Sequence, residues 1–167
     1  LEHNFVECGV ASGVTSFFTL KEILRNKESV NKFSMHLYDS WSAMKKEFLL
    51  DTEPFEGRYA LLNLESTKKN LSEFNDHLIY HVGYIPDTFN LPPDSPNSIV
   101  YLHIDLNSSL ITEKTLDFFY PRLERGGVIL FDDYGFAAFD DTRKTIDSFF
   151  KNKSGIIFPL QIGRAHV

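Results

Sequence analysis

Three acids in this sequence fall where a site could use them. Asp105 ends the apolar run Ile99-Val100-Tyr101-Leu102-His103-Ile104, and the pair Asp132-Asp133 ends Val128-Ile129-Leu130-Phe131. If the two runs are neighbouring strands, three carboxylates share one small volume, where like charges repel unless a cation or a shared proton separates them. Ligation by oxygen alone, without His or Cys, suits a hard ion, most simply Mg2+. Such an ion lowers the pKa of a bound sugar or phenol hydroxyl, and Asp105 then stands ready to accept the proton as general base. The plainer alternative is a set of surface acids capping helices after strands, since adjacent Asp-Asp pairs are common in loops.

A second group surrounds the stretch Glu7-Cys8-Gly9-Val10-Ala11-Ser12-Gly13. Its glycines are four apart, whereas the dinucleotide fingerprint is G-x-G-x-x-G; Ala11 holds the middle-glycine slot and Val14 the third. A bound pyrophosphate needs close backbone approach at the middle glycine, so a cofactor without one fits better. S-adenosylmethionine is such a cofactor, with its methionine arm and ribose over Gly9 and acids nearby for its ammonium and hydroxyls. Asp39, with Ser40, ends the apolar run Phe33 to Asp39, where a carboxylate can accept both hydroxyls of an adenosyl ribose. Gly83 and Asp87 follow a third such run. Glycines that merely turn the chain, and an Asp39 that only caps a helix, are the structural alternatives. His36, His77, His81 and His103 lie in or beside strand-like runs and read as packing residues, as do Trp41 and the phenylalanines.

The elements that must position these residues follow from periodicity. Strand-length apolar runs alternate with helix-like stretches, the pattern of βα units around a parallel sheet, and six units are expected. Strands are predicted at Asn4 to Val10, Phe33 to Asp39, Leu78 to Gly83, Ile99 to Ile104, Val128 to Phe131 and Gly155 to Leu160. Helices are predicted at Ser12 to Lys27, at Ala43 to Leu50 behind a Ser42 cap, from Ser66 or Thr67 through Phe74, at Thr112 to Leu123 stopped by Gly126-Gly127, and at Asp140 to Lys151. Asp51 to Arg58 breaks the pattern. Ile85-Pro86-Asp87 reads as a turn, and Pro92, Pro93 and Pro96 mark an open loop. In an open parallel sheet the ligand lies outside the carboxyl ends of the strands, so all the acids named above gather on one side.

Composition narrows the class. The chain has 167 residues, 43% hydrophobic and 24% charged, enough for one globular core and too apolar for a disordered chain. With 17 Lys plus Arg against 23 Asp plus Glu, a formal net charge of -6, and no basic cluster, it offers nothing to nucleic acid or an anionic membrane surface. No apolar run approaches the roughly 18 residues of a membrane helix and no basic-apolar leader opens the chain, so a soluble, cytoplasmic protein is expected. A single cysteine, Cys8, leaves no internal disulfide and no Cys-rich zinc site.

Taken in order, these motifs resemble the class I S-adenosylmethionine-dependent methyltransferases, and within them the macrocin O-methyltransferase-like (TylF/MycF) family. The resemblance runs from Phe5 to Leu160. It is carried by Val6-Glu7-Cys8-Gly9-Val10 with Gly13, Tyr38-Asp39-Ser40-Trp41, Val82-Gly83-Tyr84-Ile85-Pro86-Asp87-Thr88, Leu102-His103-Ile104-Asp105, Tyr120-Pro121-Arg122-Leu123 with Gly126-Gly127, and Phe131-Asp132-Asp133-Tyr134-Gly135 with Arg143-Lys144. It implies a Rossmann-like α/β sheet with helices on both faces, in the strand order 3-2-1-4-5-7-6. It also implies Mg2+-assisted methyl transfer to a hydroxyl of a sugar or another small natural-product or polysaccharide acceptor. By that similarity Glu7, Gly9, Val10 and Gly13 line the methionine arm, Asp39 and Ser40 hold the ribose, and Gly83 borders the adenine. Asp105, Asp132 and Asp133 are then the metal ligands, and Asp105 the base. One departure stands out: the family's usual Asp-x-Asp-x-Tyr after the fourth strand is here Asp105-Leu106-Asn107-Ser108-Ser109. Asn107 keeps an oxygen and loses a charge.

Two further expectations concern extent. The family's helices before the first strand, and its last antiparallel strand, find no counterpart, so residues 1–161 are expected to be the core of a truncated enzyme. Ile162 to Val167 reads as adapter-derived sequence and is set aside from fold reasoning. Self-association of the full-length protein stays open. The competing readings are another nucleotide-dependent Rossmann-like enzyme, such as a sugar-nucleotide oxidoreductase, and a non-catalytic binding domain.

Overall fold

The computed structural model describes residues 3–26, 32–153 and 155–158. Five strands, β1 (His3–Cys8), β2 (Phe33–Asp39), β3 (Leu78–Val82), β4 (Ile99–Ile104) and β5 (Leu123–Phe131), form one sheet in the order β3-β2-β1-β4-β5. Every pairing is parallel. This is the expected Rossmann-like methyltransferase arrangement through its fifth strand. The chain reverses its direction of travel across the sheet between β3 and β4, and the crevice at such a switch point is where an open α/β sheet binds ligands.

Alternation along the strands sorts side chains to two helical layers, because successive residues point to opposite faces. Phe33, Met35 and Leu37 face one layer, packing with Leu20 of α1 (Val14–Arg25) and with Leu71 at the end of α2 (Leu64–Asn70). Val6, Cys8, Tyr38, Leu102 and Ile104 face the other, against Ile111, Leu116 and Phe119 of α3 (Ser109–Phe119) and Ile146 of α4 (Asp140–Phe150). Burial on both faces explains why β2 and β4 read as nearly continuous apolar runs.

Several boundaries differ from the sequence expectation. No α-helix covers Ala43 to Leu50; a single 3-10 turn spans Lys46–Phe48. Its backbone is bonded to distant residues instead, with Met44 N donating to Arg58 O and Gly57 N to Met44 O. Ser42 caps nothing there and shares its hydroxyl with Tyr84 Oη at 2.7 Å. Asn63, not Ser66 or Thr67, caps α2, accepting from Ser66 N at 2.9 Å. The helix α3 ends at Phe119, and Gly126-Gly127 lie inside β5 rather than before it. Ile99 pairs with Leu123 but Tyr101 with Val128, so β5 holds a bulge, with Gly126 at φ +85°. Residues 155–158 form no strand, and the remainder of the expected Gly155 to Leu160 strand, like Ile162 to Val167 and the end of the first helix at Lys27, lies outside the described residues. Among the described residues no helix is long and apolar enough to cross a membrane.

Candidate functional site

At the carboxyl end of the sheet a cleft of about 760 Å³, counted to its open mouth, runs from the β1–α1 loop to the loop after β4. Its walls include Gly9, Ala11, Asp39, Ser40, Gly83, Tyr84, Asp105 and Asn107, joined by Lys45, Phe48 and Tyr59 from the segment between β2 and α2.

On the β1–β2 side the glycine loop is organised by a carboxylate. Asp39 Oδ2 accepts from Val10 N and from Ala11 N, each at 2.8 Å, and its Oδ1 accepts from Trp41 N at 2.7 Å. Ala11 adopts φ +49°, which turns two successive amides toward one point. In a dinucleotide-binding loop such amides meet phosphate; here an anion belonging to the protein already fills that point. Trp41 Nε1 donates to Ala11 O at 3.0 Å and Thr67 Oγ1 to the same carbonyl at 2.7 Å, fixing the loop from below. Gly9 has φ +89°, and a Cβ there would lie 1.8 Å from the carbonyl oxygen of Asp105. Only glycine lets the two loops meet this closely.

On the β4–β5 side the acids converge as expected. Asp105, Asp132 and Asp133 can each present an oxygen so that all three lie within 4.8 Å of one another. Burial first, then the charges of Asp132 and Asp133, pushes the Asp105 carboxyl up to about 7. Burial also raises Asp133, to about 6, against the opposing pull of hydrogen bonds from Asn107. Asn107 sits at φ +50° among these groups. Its backbone N–H donates to Asp133 Oδ2 at 2.9 Å, and its Nδ2 to Asp133 Oδ1 at 2.9 Å and Asp105 Oδ1 at 3.2 Å. Its Oδ1 accepts from the Tyr59 hydroxyl. The donor set is all oxygen and short of positive charge, so these residues fit a hard divalent cation.

Comparison with known proteins settles the family. The family profile described as "Methyltransferase domain" matches residues 6–134, from β1 to just past the acid pair. The chain belongs to the methyltransferase-domain family. No curated protein matches it. Its fold is similar to the O-methyltransferase NovP (TM-score 0.74, 20% identity, 93% of this chain and 67% of that one). It is also similar to the calicheamicin methyltransferase CalS11 (TM-score 0.73, 16% identity, 98% and 70%). An apo structure of CalS11, described as a TDP-rhamnose 3'-O-methyltransferase, aligns with TM-score 0.64 at 14% identity, over 98% of this chain and 69% of that one.

Not every residue expected at the methyltransferase site reaches the cleft wall. Gly9, Asp39, Ser40, Gly83 and Asp105 do, whereas Glu7, Val10 and Gly13 stand behind the loop. Glu7 points to the α1 face of β1, fully buried; it accepts from the Ser16 hydroxyl and lies 3.4 Å from His103 Nδ1. Burial lowers His103, but the carboxylates of Glu7, Asp105 and Asp132 together outweigh it and the imidazole is raised. The Val10 side chain packs with Leu20 and Trp41 in the core, and Gly13 starts α1 at φ +84° against Leu71. His36 and His81 are core residues, as expected, 2.9 Å apart between ring nitrogens.

The segment from Ser40 to Leu62 supplies what periodicity left unread. Phe48 stacks on Tyr84 with ring centres 5.0 Å apart, and the Lys45 ammonium lies 4.2 Å from the Tyr84 ring. Glu53, buried, accepts from Ser109 N at 2.7 Å and Leu50 N at 2.9 Å, tying the segment to the start of α3. Tyr59 reaches the acid cluster through Asn107. Its only sequence signal is an aromatic side chain immediately after the Asp51 to Arg58 break.

Proposed function

We propose that this methyltransferase domain transfers a methyl group from S-adenosylmethionine to a hydroxyl, with Mg2+ assistance, in the manner of the macrocin O-methyltransferase-like enzymes. The observation that carries the cofactor is the Asp39 carboxylate seated on the amides of Val10 and Ala11. A diphosphate brought to that loop would meet a fixed negative charge, which counts against a nicotinamide dinucleotide and hence against a sugar-nucleotide oxidoreductase. A sulfonium cofactor brings no phosphate. Asp39 has three lone-pair sites engaged and one of its four left, on Oδ1, for a ribose hydroxyl. Ser40 adds a second polar group on the cleft wall, and Gly83 with the mutually stacked Tyr84 and Phe48 gives that wall an apolar stretch suited to adenine.

Transfer requires the acceptor oxygen to attack the methyl carbon while the carbon–sulfur bond breaks and its electron pair stays on sulfur. The sulfonium becomes a thioether, and the acceptor's proton must leave. Asp105, on the cleft wall, is the carboxylate placed to take that proton, and a bound cation would hold it ionised for that role. A divalent cation held by Asp105, Asp132 and Asp133 would lower the pKa of the hydroxyl it binds. Asn107 donates to both Asp105 and Asp133 and, with Tyr59, walls the cleft beside them.

A sugar-like acceptor is supported by the description of CalS11 as a TDP-rhamnose 3'-O-methyltransferase. A cytoplasmic setting suits a free, buried Cys8. The test is a thermal-shift comparison of S-adenosylhomocysteine with NAD, each with and without Mg2+, followed by isotopic methyl transfer to a panel of sugar and phenol hydroxyls. Stabilisation by S-adenosylhomocysteine and label in an alkali-stable methyl ether are expected. Stabilisation by NAD alone would overturn the proposal.

A further inference from the structure

We propose that Tyr59 is a positioning residue for the acid cluster, acting through Asn107. The inference rests on the reading of that cluster as the place where acceptor and cation meet. Every polar atom of the Asn107 carboxamide is engaged: Nδ2 donates to Asp105 and Asp133, and Oδ1 accepts from the Tyr59 hydroxyl. Two carboxylates on one side demand the N–H end, so a donor is needed on the other side to satisfy the carbonyl. The Tyr59 hydroxyl is that donor. Asn107 is only 5% exposed, so a carbonyl left without it gains little from water. The amide would then lose the contact that fixes its orientation between Asp105 and Asp133.

The placement of Tyr59 is itself held. Its backbone is left-handed, φ +64°, a conformation unfavourable for an aromatic residue. Bonds on both sides maintain it, from Leu62 N to Tyr59 O at 3.0 Å and from Met44 N to Arg58 O at 2.9 Å. The ring is 44% exposed, so hydrophobic burial is a weak reason for an aromatic residue at this position. What distinguishes tyrosine from phenylalanine here is the hydroxyl, and the hydroxyl meets Asn107.

The experiment uses Tyr59→Phe, Asn107→Ala and the double variant, all as the intact chain. Without added cation, solvent exchange of the Asn107 side-chain amide protons, followed by 15N NMR, should be about tenfold faster in Tyr59→Phe than in the parent protein. By calorimetry, Tyr59→Phe should weaken Mg2+ binding about tenfold while S-adenosylhomocysteine affinity stays within about twofold. In the Asn107→Ala background the same change should have no further effect on Mg2+ binding, because its route has been removed. Unchanged amide exchange, or an equal loss of Mg2+ affinity with and without Asn107, would overturn the positioning role. Absence of Mg2+ binding to the parent protein would overturn the metal reading instead, and the amide-exchange result would still decide the link between Tyr59 and Asn107.

Discussion

Aspartates at strand exits form both sides of the cleft, and they are in opposite electrostatic conditions. Asp39 receives three backbone N–H groups on its two oxygens. Asp105 and Asp133 face each other and Asp132 in a partly dehydrated space, with one neutral carboxamide between them. The first arrangement engages three of the four lone-pair sites without a ligand and gives the glycine loop its shape. In the second, burial first and then mutual repulsion raise the Asp105 and Asp133 carboxyls to about 7 and 6. Strand position alone therefore does not set an acid's surroundings: the chain supplies Asp39 with three N–H donors and leaves Asp105 and Asp133, buried together, with fewer.

The sharpest way to break that contrast is to remove one acid from each side. Asp105→Ala should lower methyl transfer by about 10³-fold, the range of a lost general base, while S-adenosylhomocysteine binding by calorimetry changes little. Retained activity would remove Asp105 as base. Asp39→Ala should do the reverse in kind, costing about 2–3 kcal/mol of stability in urea melts as the Val10 and Ala11 amides lose their acceptor, and weakening cofactor binding with it. If Asp39→Ala leaves stability intact, its bonds to the loop are incidental.

Titration offers a second comparison. Asp105 and Asp133 are raised in the folded state, so the native protein binds more protons than the unfolded chain between the ordinary carboxylate range and about 7. Stability should fall as pH rises through that window. His81 acts in the other direction: burial, then the neighbouring His36, lowers it to about 4, so its contribution is present above the ordinary histidine range and is lost as pH falls toward 4. The two carboxyls together outweigh His81, so in EDTA the melting temperature should fall from about pH 4 to about pH 7, and added Mg2+ should flatten this alkaline limb by holding the carboxylates ionised. An alkaline limb unchanged by Mg2+ would argue that no cation binds among the three acids. Smallest of all, Asn63→Ala removes the α2 cap and should cost about 1 kcal/mol in urea melts, with no change in Mg2+ affinity.

How far the sequence foretells the molecule depends on where each segment finds its hydrogen bonds. The strands β2 and β4 lie where alternation and apolar runs predict them, because both are flanked by other strands and covered on both faces. Asp105 with Asp132-Asp133 was legible for the same reason, since two neighbouring parallel strands ending in acid must bring those acids together. The segment from Ser40 to Leu62 was not legible. Its apolar spacing at Ala43 to Leu50 resembles a helix, yet Met44 is bonded to Gly57 and Arg58, and such long-range pairing leaves no period in the sequence. The residues it contributes, Tyr59 and Glu53 among them, were missed with it. Glu7 shows the converse, a residue rightly located at the glycine loop whose side chain the strand alternation turns beneath α1.

The point where Gly9 meets the Asp105 carbonyl, too close for any side chain, leaves no slack between the halves of the cleft. A displacement of the glycine loop is felt by the backbone that carries Asp105, and the converse holds equally. Any coupling carried by this contact is reciprocal: whatever factor an adenosyl ligand imposes on cation affinity, the cation must impose on the adenosyl ligand. A missing side chain thus puts the two sides of the cleft in direct backbone contact.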